Sequence, residues 1–234
     1  MRILFFIFRE FCAMFRLFCH LTRLNYATIR FNFRYFPFRQ AIRFPVLVSR
    51  NVLLEDLSGK VVLQGDLYFG KIRIGYGGIG IFDRKYSRSI WQVGGTVIFR
   101  GSASLGHGTR ISVGGDGILT LGANFAVSAE STIVCHRKIT FGDNCLLSWE
   151  NLLMDTDMHP IRDHENRVIN HPEEVVIGDS TWIGCRTTIL KGSVIPPQSI
   201  IGAGALITKP LEGTRAVFGS APARKLRENV SWKM

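Results

Sequence analysis

From residue 177 onward isoleucine recurs at 177, 183, 189, 195, 201 and 207, every sixth position without a miss. A helix repeats at 3.6 residues and an ordinary strand at 2, so a sustained step of six belongs to neither alone. It fits short strands that each send one side chain into a shared interior and then bend. The residue after each isoleucine is Gly178, Gly184, Leu190, Pro196, Gly202 or Thr208, and glycine at three of the six suits a tight corner. Three such steps close a triangular coil of about eighteen residues, and stacked coils form a solenoid, each coil too small to be stable alone. The same step runs through Phe99, Leu105 and Ile111, through Leu121, Val127 and Ile133, and through Phe141, Leu147 and Leu153. The phase jumps between these sets read as bulges or short loops at corners. Upstream, "IRIGYGGIGIF" (72–82) suggests an irregular first coil or two.

The metronome stops once, at "DTDMHPIRDHENRVINHPEE" (155–174). Leu153 and Ile177 are four whole hexads apart, so the buried register returns in phase and the segment reads as a loop extruded from a corner. Loops carried on a rigid scaffold are where chemistry tends to sit. This one holds three histidines, His159, His164 and His171, and histidine titrates where a general base is needed. Asp157, Asp155 and Glu150 are the nearby acids that could orient an imidazole, with loop solvation as their ordinary alternative. Metal is the weaker reading, since "DTDMHPIRDH" shows no fixed ligand spacing and His107 and His136 form no close pair.

The formal charge of +11 is concentrated at one end. Residues 1–50 contain nine arginines and one acid, Glu10, together with eleven of the seventeen phenylalanines. The longest apolar run there, Ile3 to Phe8, is too short for a secretory core or a membrane span. An amphipathic helical segment is expected, and two readings stay open for it: residues 1–45 touch a membrane surface, or they pack on the main domain or a neighbouring subunit. Nucleic acid is not expected, because the aromatics lie on no recognisable binding module. The five cysteines, 12, 19, 135, 145 and 185, show no metal spacing and no disulfide framework, which favours a reducing, cytoplasmic setting.

"VVIGDSTWIGCRTTILKGSVIPPQSIIGAGALITK" (175–209) resembles the hexapeptide-repeat acyltransferases, and within them the galactoside, maltose and surface-polysaccharide O-acetyltransferases. The likeness covers about 120–228. It implies a mainly β fold, a left-handed parallel β-helix, spanning 51–210 with the loop 154–176 extruded, a head segment 1–50 and a short C-terminal cap 211–234. It further implies acetyl-CoA as donor, a homotrimer with sites between neighbours, and a sugar or glycan hydroxyl as acceptor. The basic head suggests a lipid-linked glycan at the inner face of a membrane.

The resemblance also assigns residues. "DMHPI" is similar to the segment bearing the family's catalytic histidine, which makes His159 the base, with Asp157 as its candidate orienter. "GANFAVS" maps Asn124 near the reacting groups. In "WIGCRT", Trp182 lies by the cofactor entrance and Cys185 offers a backbone contact. In "GAGALITK", Ala203, Thr208 and Lys209 fall where the family holds acetyl-CoA, and "FGSAPARKLRE" places Arg224 and Arg227 toward phosphate, with Ser220 an extra residue in that motif. "IVCHRK" lacks the acid that galactoside enzymes carry at the comparable place, so their sugar preference does not transfer. The rival expectations are an acyltransferase for a soluble nucleotide sugar or amino acid, and a non-catalytic β-helix scaffold.

Overall fold

The computed structural model describes residues 24–233; the reading of residues 1–23 lies outside them. Among the described residues twenty-two short strands form three sheets of nine, seven and six strands, all parallel but for the last strand, and as far as Leu206–Ile207 the chain visits first, second and third sheet in turn. This is the parallel β-helix of the left-handed type. The lower coils keep the strict hexad. Leu147, Ile183, Ile201 and Phe218 stack down the first sheet, Leu153, Ile189 and Ile207 down the second, and Phe141, Ile177 and Ile195 down the third. All ten are buried. One such side chain contributes roughly 1.5–3 kcal/mol on burial, too little to hold a two-residue strand unless the coils above and below share the interior.

The upper coils are larger. Arg110 pairs with Thr132, twenty-two residues on, and Thr132 with Leu152, twenty residues on, whereas Thr188 pairs with Leu206 after eighteen. Most of their strands are four or five residues long and point two side chains inward, as Ile111 with Val113 and Ile133 with Cys135 do. The phase jumps in the sequence therefore arise within strands: the six-step passes from one inward residue to the second, and no bulge is needed.

Two residues before Ile183, Ile189, Ile195 and Ile201 sits a buried hydroxyl: Thr181, Thr187, Ser193 and Ser199. Thr181 Oγ1 donates to the Gly178 carbonyl at 2.8 Å and Thr187 Oγ1 to the Gly184 carbonyl at 3.0 Å. A corner carbonyl turned inward would otherwise be stranded away from water. This polar rail keeps the same six-step as the isoleucines and was available in the sequence.

At the top, α1 (Tyr26–Tyr35) and a single turn α2 (Phe38–Ala41) close the solenoid. The Asn25 side chain caps α1 by accepting from Thr28 N at 3.1 Å. The inner face of α1 meets β1 (Val46–Val48), the first strand of the first sheet. Thr28 Oγ1 accepts from Val48 N at 3.0 Å and donates to Val48 O at 2.9 Å; Asn32 accepts from Val46 N at 3.2 Å and donates to Val46 O at 2.7 Å. Two side chains one helical turn apart thus replace the strand that β1 lacks, and an exposed sheet edge is removed. Phe31 seals the same joint, edge-on to Trp91 with ring centroids 5.2 Å apart. The described part of the head is therefore a cap on its inner face, while Ile29, Phe33, Phe38 and Ile42 on the other side remain exposed beside Arg30, Arg39 and Arg43.

Candidate active site

The extruded loop leaves after Leu152–Met154 in the second sheet and returns at Val175–Ile177 in the third. Leu152 pairs with Thr188 after thirty-six residues, one lower coil plus eighteen. Its root is fixed by Asp155, which is fully buried and accepts from His136 N at 2.7 Å and Arg137 N at 2.8 Å on the coil above. A carboxylate filled by two backbone N–H donors is a fastener, not a free base.

Beyond the root the loop is shaped around His159. Met158 takes a left-handed backbone conformation, φ 66°, with its N–H donating to Thr156 Oγ1 at 3.0 Å, and His159 N donates to Asp157 O at 2.7 Å. Asn170 Nδ2 donates to the His159 carbonyl at 2.9 Å and to Asp157 Oδ2 at 2.9 Å, and Ile161 N donates to Asn170 Oδ1. Lys191 Nζ closes on the same Asp157 oxygen. The hydrogen bonds from Lys191 and then Asn170 hold the Asp157 carboxyl below its ordinary value, so it stays an anion at neutral pH. Asp157 thereby anchors the backbone that carries His159, its carboxylate being engaged by Lys191 and Asn170. The histidine itself is exposed. His164 and His171 are also exposed, and His164 faces Glu165 at 3.6 Å.

The other candidates fall on the three corners of the prism. Thr208 and Lys209 follow Leu206–Ile207 at the corner between second and third sheets, the same corner as Lys191 and the loop. Cys185 and Ala203 lie at the corner between first and second sheets, joined by the bond from Gly204 N to Cys185 O at 2.9 Å. One prism edge of six residues separates Cys185 from Lys191, about 20 Å of extended chain. Asn124 lies at the remaining corner, between third and first sheets, with φ 55°. Its Nδ2 donates to Asn144 Oδ1 at 3.1 Å, in the left-handed conformation that asparagine tolerates. A single chain does not bring Asn124 to His159 or to Cys185.

Trp182 stands on the outer face of the first sheet, donating to Ser148 Oγ at 3.1 Å, with the Trp232 ring 6.0 Å away. Trp232 donates to Ser180 O at 2.7 Å, which folds the tail back beside the coils, at the corner between third and first sheets. Arg224 and Arg227 are exposed on Arg224–Arg227, an antiparallel strand that ends the first sheet against Val217–Gly219. Burial pushes the Cys145 thiol up to about 11 and Cys135 further still, with Asp155 adding to the latter, so neither is a nucleophile. Among the described residues no group of three or more histidines, cysteines or acids could hold a metal ion, and no helix is long and apolar enough to cross a membrane.

Fold and loop together define a hexapeptide-repeat β-helix with a histidine held out at one corner. Comparison with known proteins points the same way. The chain is 37% identical over 106 residues to the polysialic acid O-acetyltransferase of Neisseria meningitidis, covering 45% of this chain and 49% of that protein. It is 34% identical over 112 residues to the galactoside O-acetyltransferase of Escherichia coli K12, covering 46% and 53%. The chain thus spans about half the length of the curated relatives it matches. A solved structure, the polySia-specific acetyltransferase NeuO, aligns over 81% of this chain and 79% of its own with 21% identity and a TM-score of 0.49. No protein-family profile matches the chain.

Proposed function

We propose that this protein is an acetyl-CoA-dependent O-acetyltransferase for a sugar hydroxyl, with His159 as general base. The observation that carries the reading is an exposed histidine, His159, whose flanking backbone is fixed by Asp157, Asn170 and Lys191, in a chain whose relatives are named O-acetyltransferases. A neutral imidazole nitrogen takes the proton of the acceptor hydroxyl as its oxygen attacks the thioester carbonyl carbon. Collapse of the tetrahedral intermediate breaks the carbon–sulfur bond, and the imidazolium proton goes to the departing thiolate. Thr208, Lys209 and the exposed Arg224 and Arg227 supply hydroxyl and cationic groups for the nucleotide end of acetyl-CoA, and the small Ala203 lets its pantetheine arm approach the coil.

The acting unit in this reading is a homotrimer. His159 and the Cys185–Ala203 corner lie on opposite edges of the second sheet, so the base of one copy is set to meet the donor-binding corner of the next. The exposed apolar residues of α1 and α2, interleaved with arginine, give the assembly a face for an anionic membrane surface, where a lipid-linked acceptor would be found.

Thiol release from acetyl-CoA, followed with and without glycan acceptors, tests the chemistry. His159→Ala is expected to lower acceptor-dependent release by roughly 10²–10⁴-fold while acetyl-CoA binding persists. Equal rates for variant and wild type would remove His159 from the reaction. Absence of both release and acetyl-CoA binding would leave a scaffold.

A further inference from the structure

Where α1 begins, the cap leaves a cavity of about 470 Å³ between the helix and the strand Val52–Asp56. Two elements wall it. From α1 come Tyr26 and Arg30; from the turn and strand that follow β1 come Arg50, Val52 and Leu54. Asn25 stands where the two meet. Besides capping the helix, its Nδ2 donates to the Val48 carbonyl at 2.8 Å, two residues before Arg50. Thr28 holds both backbone groups of the same Val48, and the turn is closed by Val52 N donating to Ser49 O at 3.2 Å. The two arginines therefore ride on separate elements bolted together at Val48. The spacing of their backbones is set before anything binds.

The chemistry of the wall is divided. Val52 and Leu54 are buried and form an apolar floor, whereas Arg30 and Arg50 are exposed. Among the described residues neither guanidinium has an ion-pair or hydrogen-bond partner, although Arg34, one turn further along α1, donates to the Ser58 carbonyl at 3.2 Å. No acidic residue lines the cavity. Two unpaired guanidinium groups beside an apolar floor suit a ligand with two negative charges and an apolar body. A phosphate monoester carries about 1.5 to 2 negative charges at neutral pH and presents three terminal oxygens to guanidinium forks. A phosphodiester or a carboxylate carries a single charge.

The surroundings indicate the apolar body. Tyr26, Ile29 and Phe33 follow at steps of three and four, so they share one side of α1. All three are exposed, and Phe33 continues the stripe onto α2, its ring 6.1 Å from that of Phe38. The cavity thus opens at one end of an outward apolar stripe. A lipid headgroup lies at that level when such a stripe rests in the acyl boundary.

We propose that this cavity binds the phosphate monoester headgroup of a membrane lipid, with Arg30 and Arg50 on the phosphate oxygens and the start of the lipid body against Val52 and Leu54. The lipid as source of the phosphate rests on the reading of α1 and α2 as a membrane face. The site adds selectivity to that face. A surface held by general charge ranks lipids by charge density, and a two-arginine cavity ranks them by headgroup.

Sedimentation of the full-length protein with phosphatidylcholine vesicles is the test. One series contains phosphatidic acid and the other phosphatidylglycerol, at contents adjusted to equal zeta potential. Wild type is expected to partition about tenfold better into the phosphatidic acid series. Arg30→Gln and Arg50→Gln should each bring that ratio close to one at an unchanged melting temperature. Arg39→Gln, on α2 and outside the cavity, should weaken both series alike and keep the ratio. Equal partition of wild type into the two series would overturn the site and leave the membrane face standing. No partition into either would remove the membrane face, and the lipid site with it. A ratio that survives in both cavity variants would place the selectivity elsewhere and overturn the assignment. Micromolar calorimetric binding of glycerol 3-phosphate without vesicles, lost in both variants, would give the cavity to a soluble phosphate ester and overturn the lipid.

Discussion

The glycines of the hexad show how one atom decides a position. Sequence reasoning valued Gly178 and Gly184 for conformational freedom at a corner. In the structure the left-handed residues stand two positions further on, at Ser180, Arg186, Gly192, Gln198 and Gly204, with φ of 54°, 58°, 75°, 59° and 70°. Gly178 and Gly184 are required because the next coil presses on them. A Cβ on Gly178 would lie 2.4 Å from Pro197 N, and one on Gly184 would lie 2.7 Å from both Ala203 N and Ile201 O. These contacts are backbone and cannot swing away. Gly184→Ala is therefore expected to destabilise by about 1–3 kcal/mol or more through overpacking. Gly115→Ala, where an added Cβ meets nothing within 4 Å, should change stability by less than about 0.5 kcal/mol. Urea denaturation of the two variants distinguishes this account from conformational freedom: equal destabilisation would refute the steric explanation.

Among the elements, α1 carries two jobs on two faces. Thr28, Phe31 and Asn32 face the solenoid and satisfy its first strand. Ile29, Phe33 and, on α2, Phe38 face outward with arginines between them. The hydrophobic and basic composition of the head was plain in the sequence. Which aromatics pack and which remain exposed was not, because that depends on where β1 lies. If the outward face meets membrane, the protein should sediment with vesicles containing anionic lipid and be released by high salt, as screening weakens its arginines. Phe33→Ser with Phe38→Ser should abolish sedimentation without lowering the melting temperature by more than a few degrees. Sedimentation that persists in the double variant would assign membrane contact elsewhere or dismiss it.

For the whole molecule, the candidate site residues are divided between corners. Asp157, His159, Thr208 and Lys209 stand at one edge of the second sheet, and Cys185 and Ala203 at the other. The proposed trimer, which joins unlike edges, makes a specific demand. Mixing His159→Ala chains with chains blocked at Ala203→Trp should restore activity, since one copy keeps the base and the other keeps the corner. Random assembly of a closed ring puts the two intact halves face to face at about a quarter of the interfaces. Recovery of about a quarter of wild-type turnover supports a shared site, and no recovery would confine the chemistry to one chain.

The hexad by itself specifies the fold, because a step of six can bury one side chain per strand only if three strands share one interior. The loop and its histidines were equally legible, since a break in a strict period is visible by eye. The hydroxyl rail of Thr181, Thr187, Ser193 and Ser199 was present in the same period, but an apolar search passes over it. What remained for the tertiary structure was everything set by which coil lies against which. It assigned Asp157 to Lys191, thirty-four residues away, and Asp155 to the backbone of the coil above. It put Asn124 on a different corner from Cys185, and it brought Arg30 and Arg50 to one cavity. Period fixes which side chains turn inward; the outward ones meet neighbours from distant coils, and only the stacking of the solenoid chooses them.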